Sequence, residues 1–174
     1  MKQALILIDC QVDFGAPDGA MALQGRDIKA AQAALVKAQD LAMAARAAKV
    51  PVIFVRLISD ELCAPGTRGA DFTGVQAAPG EHIVTKSRFS AFANTGLEAH
   101  LRAHGIDTVV LAGLTTECCV ASTAWAAFEE GFQVAIASDA CAAYEDALHH
   151  ATLKALAQSQ AVVADSAVLT AGWK

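Results

Sequence analysis

The chain has 174 residues, of which 55% are hydrophobic and 18% charged, and its formal net charge at pH 7 is −5. So apolar a chain is not intrinsically disordered, a state that needs low hydrophobicity and high net charge, and its acidic balance offers no basic face to a nucleic-acid partner. The charged share falls below the ~25% of an average soluble domain, so more apolar surface is expected than one copy can hide, and a homo-oligomer is expected.

The first apolar run, residues 4–8, is Ala-Leu-Ile-Leu-Ile and reads as a buried strand. It is far shorter than the ~20 residues of a membrane span. Asp9 follows it with no small-residue cleavage site, so it is not a secretory leader. No membrane partner is expected, and a cytoplasmic location is. Asp27 is placed to cap a long Ala-rich helix running to about Ala48, and residues 50–56 form a second strand. Residues 57–80 read as one long irregular loop carrying Pro65, Gly66, Gly69, Gly74, Pro79 and Gly80. Loops of that length are usually functional or mobile. A weaker strand is expected at 81–85. Thr95 and Glu98 have the spacing of a capping box for a helix that ends at Gly105. A strand at 108–112, a helix at 117–130 stopped by Gly131, a strand at 133–138, a helix at 146–158 and a strand at 161–164 complete the order. This alternation is the pattern of a doubly wound α/β domain, expected to fill 1–174 as one unit. Near-continuous apolar strands point to a parallel sheet covered on both faces.

The five cysteines, Cys10, Cys63, Cys118, Cys119 and Cys141, are odd in number, and none forms a C-x-x-C pair. Neither a disulfide framework nor a zinc knuckle is expected. The chain has no glycine-rich nucleotide signature and no G-x-S-x-G serine elbow.

In an open α/β sheet, ligands bind beyond the carboxyl ends of the strands. Asp9-Cys10-Gln11-Val12-Asp13-Phe14 follows the first strand, Lys86-Ser87-Arg88-Phe89 the weak third one, and Gly113-Leu114-Thr115-Thr116-Glu117-Cys118-Cys119 the fourth. A carboxylate, an ammonium and a thiol thus map to one rim. Cys119 falls in the first turn of a helix, where unpaired N–H groups and the helix dipole favour a thiolate and can hold an oxyanion. Lys86 would lower the thiol pKa further, and Asp9 can act as general acid or base. Together they make a nucleophile, a base and an electrostatic partner.

Taken singly, each residue also has a plain structural reading. Asp9 can be a strand-end turn residue, Lys86 a solvated lysine and Cys119 a small core side chain. Gln11 either orients substrate or finishes a turn. Phe14 and Phe92 flank these segments and line the pocket or simply pack. Arg88 is expected in a salt bridge. His100 and His104 are four apart on one helix face and are expected to be solvated, and His149 is expected to make a structural hydrogen bond.

The segments resemble the isochorismatase-like cysteine hydrolases, the group that includes nicotinamidases and N-carbamoylsarcosine amidase. The resemblance is carried by Leu7-Ile8-Asp9-Cys10-Gln11-Val12-Asp13-Phe14, by Lys86-Ser87-Arg88-Phe89-Ser90-Ala91-Phe92 with Thr95 and Leu97, by Gly113 to Val120 with Thr123 and Ala124, and by Gly131-Phe132 and Asp139-Ala140. It implies a three-layer α/β/α fold with a six-stranded parallel sheet and a dimeric or tetrameric assembly. It also implies a catalytic triad of Asp9, Lys86 and Cys119, and a cis peptide between Leu114 and Thr115 that aims the Thr115 N–H, with that of Cys119, at the oxyanion. Nicotinamidases in the group carry an Asp-x-His element after the second strand. Residues 56–62 here read Arg-Leu-Ile-Ser-Asp-Glu-Leu, and the first histidine is His82. No metal and no other cofactor is therefore expected. The implied activity is hydrolysis of a C–N bond in a small amide, ureide or carbamoyl compound through a thioacyl intermediate. The alternatives are a vinyl-ether hydrolase using Asp9 as acid, and a catalytically silent binding scaffold.

Overall fold

A computed structural model of the chain describes residues 1–173. Its centre is a six-stranded, all-parallel sheet: β1 (Gln3–Ile8), β2 (Val52–Leu57), β3 (His82–Lys86), β4 (Thr108–Leu114), β5 (Gln133–Ala142) and β6 (Val162–Ala164), in the spatial order β3-β2-β1-β4-β5-β6. β1 and β4 are buried along almost their whole length, as parallel strands covered on both faces must be.

Helices cover both faces. The long helix, which we label α3 (Lys29–Ala47), follows two short turns of helix, α1 (Val12–Gly15) and α2 (Ala20–Leu23). Ala31, Ala34, Leu35, Ala38, Leu41, Ala42 and Ala45 form its buried stripe. That is the i, i+3, i+4, i+7 pattern of one helix face, and its many alanines let the helix approach the sheet closely. The others are α4 (Leu97–Ala103), α5 (Ala121–Glu129), α6 (Asp146–Gln158) and α7 (Ser166–Thr170). α3 packs with α7, and α5 with α6. No helix among the described residues is long and apolar enough to cross a membrane.

Several boundaries differ from the sequence expectations. The capping box at Thr95 and Glu98 does not form. Gly96 takes a left-handed conformation (φ 75°) just before α4, Thr95 Oγ1 donates to the Ala91 carbonyl, and Glu98 turns outward to Arg102. The helix expected at 117–130 is two pieces, a π-helical turn at Thr116–Val120 followed by α5. β5 runs past Ser138 to Ala142, because a register shift between Leu111 and Gly113 lets it keep pairing with β4.

The segment between β2 and β3 is tied down at several points. Arg46 of α3 grips Glu81 through two hydrogen bonds of 2.8 and 2.9 Å and donates to the Gln76 carbonyl, while Ala78 N–H donates to Glu81. A short 3₁₀ turn, Arg68–Ala70, lies within it.

Candidate active site

β1, β3 and β4 each deliver one group. Asp9 follows β1 in a left-handed conformation (φ 51°), which Asp tolerates better than most side chains do. Lys86 is the last residue of β3. Cys119 lies in the π-helical turn after β4, where the Thr115 carbonyl accepts from the Cys118 and Val120 N–H groups. The Leu114–Thr115 peptide bond is cis. β1 and β4 approach so closely here that a Cβ at Gly113 would overlap the Ile8 backbone; Gly113 also has φ 127°, so only glycine fits.

The three side chains meet. Lys86 Nζ is 2.8 Å from Asp9 Oδ2, 3.3 Å from Cys119 Sγ and 3.0 Å from the Arg88 carbonyl. All three residues are at most 5% exposed. Oδ1 of Asp9 is buried and, among the described residues, has no hydrogen-bond partner. Burial pushes the Asp9 carboxyl above its usual range, and Lys86 opposes that only in part. Burial draws the Lys86 ammonium down, but the charge of Asp9 and the hydrogen bonds to Asp9 and Cys119 outweigh it, so Lys86 is held above its usual value.

The expectation of a lowered Cys119 pKa is corrected. Its thiol is pushed up, first by its hydrogen bond to the Cys118 sulfur, then by burial and the Asp9 charge; Lys86 pulls the other way and loses. A thiolate there would add an anion to a buried site in which Asp9 and Lys86 already offset one another.

The remaining expected site residues are placed as follows. Gln11 is fully buried, and its amide is consumed by main chain: Nε2 donates to the Leu57 and Ala70 carbonyls (2.9 and 3.0 Å), and Oε1 accepts from Leu57 N–H (2.8 Å). It ties the ends of β1 and β2 to the 3₁₀ turn, the structural one of its two expected roles. Phe14 is a core residue of α1 whose carbonyl accepts from Tyr144 (2.7 Å). The half-buried Phe92 packs on Phe132 at 5.8 Å between ring centres. Packing accounts for both rings. Arg88 enters the site through its carbonyl, which accepts from Lys86 Nζ. His149 does make a hydrogen bond, 2.8 Å to Thr116 Oγ1.

Asp13, Glu117 and Tyr144 were not singled out by sequence, yet they build the surroundings. Asp13 accepts from Ala20 N–H (3.0 Å) and Cys63 N–H (2.7 Å), and a Cβ at Gly69 would overlap its carboxylate. The only sequence signals were the spacing of Asp13 from Asp9 and an acid two residues before Cys119. Over the end of β5 lies a cavity of about 440 Å³ bordered by Asp27, Lys29, Asp139, Tyr144, Asp146 and His149. The rings of His82, His100 and His104 stack at 3.7 and 4.3 Å between centres. Among the described residues no group of three or more His, Cys, Asp or Glu is arranged to hold a metal ion.

The chain is similar to an isochorismatase-like hydrolase from Alkaliphilus metalliredigens, at 27% identity over the whole of both chains, with a TM-score of 0.91. It is 35% identical to a streptothricin hydrolase from Streptomyces noursei over 150 residues, which are 82% of this chain and 50% of that protein. It is 29% identical to the ureidoacrylate amidohydrolase RutB of Methylobacterium radiotolerans over 182 residues, covering 86% of this chain and 70% of that protein. For the first curated relatives it matches, the chain spans 42% and 50% of their length. The family model described as the isochorismatase domain matches residues 3–168, and the chain belongs to the isochorismatase family.

Proposed function

We propose that the chain is a metal-independent cysteine hydrolase that cleaves the C–N bond of a small amide, ureide or carbamoyl compound. One observation carries the reading: Lys86 Nζ lies within hydrogen-bond distance of both Asp9 and Cys119, with all three side chains buried. A structural ion pair needs no thiol there.

In the proposed sequence, Asp9 takes the thiol proton as Cys119 Sγ attacks the carbonyl carbon. Oδ1, free of other partners, is the accepting oxygen. Lys86 remains an ammonium and holds both the carboxyl and the emerging thiolate, so the sulfur becomes an anion only when its proton has neutralised Asp9. The N–H groups of Thr115 and Cys119 receive the oxyanion. Collapse breaks the C–N bond, and Asp9 returns its proton to the leaving nitrogen. Water, deprotonated by Asp9, then opens the thioester; the acid product leaves and the thiol is restored. The amidohydrolase among its relatives supports C–N cleavage over vinyl-ether hydrolysis.

The test is ammonia or amine release from a panel of small amides and ureides. Cys119→Ala abolishes turnover, and Asp9→Asn lowers kcat by roughly 10²–10⁴-fold. Full activity in Cys119→Ala, with no nitrogen released, points to the vinyl-ether reading. We further propose a homodimer or homotetramer. Trp125 of α5 and Leu148 of α6 stand 40% and 43% exposed on neighbouring helices. Sedimentation equilibrium is the check, and a monomer at every concentration overturns it.

A further inference from the structure

β1 stops pairing with β2 just where its chain turns at Asp9. Asp9 N–H makes the last backbone rung, to the Val55 carbonyl (2.9 Å). In a regular parallel ladder the next rung would join Leu57 N–H to the Asp9 carbonyl. Asp9 instead takes its left-handed conformation, and its carbonyl accepts from Gln11 N–H (2.8 Å). That leaves Leu57, the last residue of β2, facing a turn rather than a strand.

The side chain of Gln11 fills this gap. Oε1 accepts from Leu57 N–H at 2.8 Å and Nε2 donates to the Leu57 carbonyl at 2.9 Å, so the amide stands where the peptide group of a continuing strand would stand. The second Nε2 proton goes to the Ala70 carbonyl (3.0 Å). A buried amide is costly unless bonded, and here both donors and the acceptor are used. A leucine at this position would suit the core and leave Leu57 N–H and C=O without these partners.

Each end of the bridge is one step from a member of the buried ion pair. On one side Gln11 N–H holds the Asp9 carbonyl. On the other, Leu57 is the register partner of Lys86, and Ile58 N–H donates to the Lys86 carbonyl (2.9 Å). β3 is an edge strand, so no strand beyond it fixes Lys86 from outside. The path that sets the 2.8 Å contact between Asp9 and Lys86 therefore runs through one side chain.

We infer that Gln11 is a positioning residue: its amide replaces a missing rung between β1 and β2 and thereby fixes Asp9 against Lys86. It acts through Leu57 and through its own backbone. The inference rests on the preceding reading only for the task given to Asp9 and Lys86.

Lys86 from β3 and Cys119 from the π-helical turn are the titratable groups that meet the Asp9 carboxyl, so its titration reads their contact. The Asp9 carboxyl carbon is followed by NMR against pH in the Gln11 protein and in Gln11→Met, which keeps the length and removes the amide. Loosening the pair takes cationic support from the carboxylate, and the Asp9 midpoint is expected to move up by about one pH unit, part of what a cation in contact supplies. A midpoint that stays or falls in folded Gln11→Met overturns the inference. On any amide of the panel that is turned over, kcat is expected to fall roughly tenfold to a hundredfold, with KM within about twofold. A raised KM with kcat unchanged marks Gln11 as a substrate-binding residue and overturns the inference too. If Gln11→Met does not fold, hydrogen exchange in the unsubstituted protein decides. Leu57 N–H and the Gln11 side-chain amide are expected to exchange as slowly as the middle of β1; exchange as fast as at the exposed start of β3 overturns the inference. Failure of the cysteine mechanism shows separately, as ammonia release by Cys119→Ala, and leaves the titration result standing.

Discussion

Lys86 is bonded to two partners at once, and each bond has a measurable consequence. With Asp9 held above the usual carboxylate range and Lys86 held above its own, only one group titrates on the acid side. Protonating Asp9 removes the base. kcat/KM is therefore expected to fall on an acid limb whose midpoint lies above the ~3.9 of an ordinary Asp. Because Lys86 stays charged past its normal ~10.4, no alkaline fall is expected below that value. A pH–rate profile that is flat down to pH 4 contradicts the assignment of Asp9. The pair can also be read through stability. Replacing Lys86 by Met leaves a buried carboxylate unpaired, at a cost of about 3–5 kcal/mol, measurable as a lower urea midpoint. Adding Asp9→Asn to Lys86→Met recovers part of it, and purely additive losses exclude direct coupling. These partners were legible in sequence because each directly follows or ends a strand. The upward push on the Cys119 thiol was not, because it depends on how close Cys118, Asp9 and Lys86 come to its sulfur, and that is a property of distances.

At the scale of elements, strands that sit among apolar residues announced themselves, and junctions did not. β1, β2 and β4 fell within about two residues of expectation, since a buried parallel strand is a continuous apolar run. The π-helical turn before α5 has no such signal. It is held by the carbonyl of Thr115, which accepts from two N–H groups. The loop between β2 and β3 looked irregular because its order comes from distant partners, Gln11, Asp13 and Arg46. One of these ties is titratable. Burial pushes the Glu81 carboxyl up, but its hydrogen bonds to Arg46 and Ala78 N–H and the Arg46 charge bring it below its normal value. Such a group adds stability that is complete above its unfolded pKa of ~4.3 and is lost as the pH falls through the lower folded value. Glu81→Gln is expected to cost about 1–2 kcal/mol at pH 7, as for a part-buried charge-assisted pair. The difference from the Glu81 protein should shrink steadily below pH 4. Denaturation at both pH values checks it, and a penalty that does not depend on pH rules out the ion pair as its source.

Across the whole molecule, stability should follow position in the sheet. β1 lies between β2 and β4 and is almost wholly buried, whereas β6 is a three-residue edge strand with Val162 59% exposed. The three groups of the proposed mechanism hang from the ends of β1, β3 and β4, so Asp9 and Cys119 are fixed by the most enclosed strands, while Lys86 comes from the opposite edge. β3 would be loose there, since His82, Ile83 and Thr85 are exposed. What holds its end is the bonding of Lys86 itself, together with Ile58 N–H donating to the Lys86 carbonyl (2.9 Å). Amides that exchange by local opening are those with few buried apolar neighbours. Hydrogen exchange is therefore expected to be slowest in β1 and β4, limited by global unfolding, and fastest among strands in β6. The end of β3 should be protected beyond its exposed beginning. Lys86→Met should erase that excess protection in β3 and leave β6 unchanged, because only β3 is fastened through the site. If β3 instead exchanged uniformly in both proteins, its edge would be ordered by the sheet alone, and the buried Asp9–Lys86–Cys119 contact would carry no part of the fold.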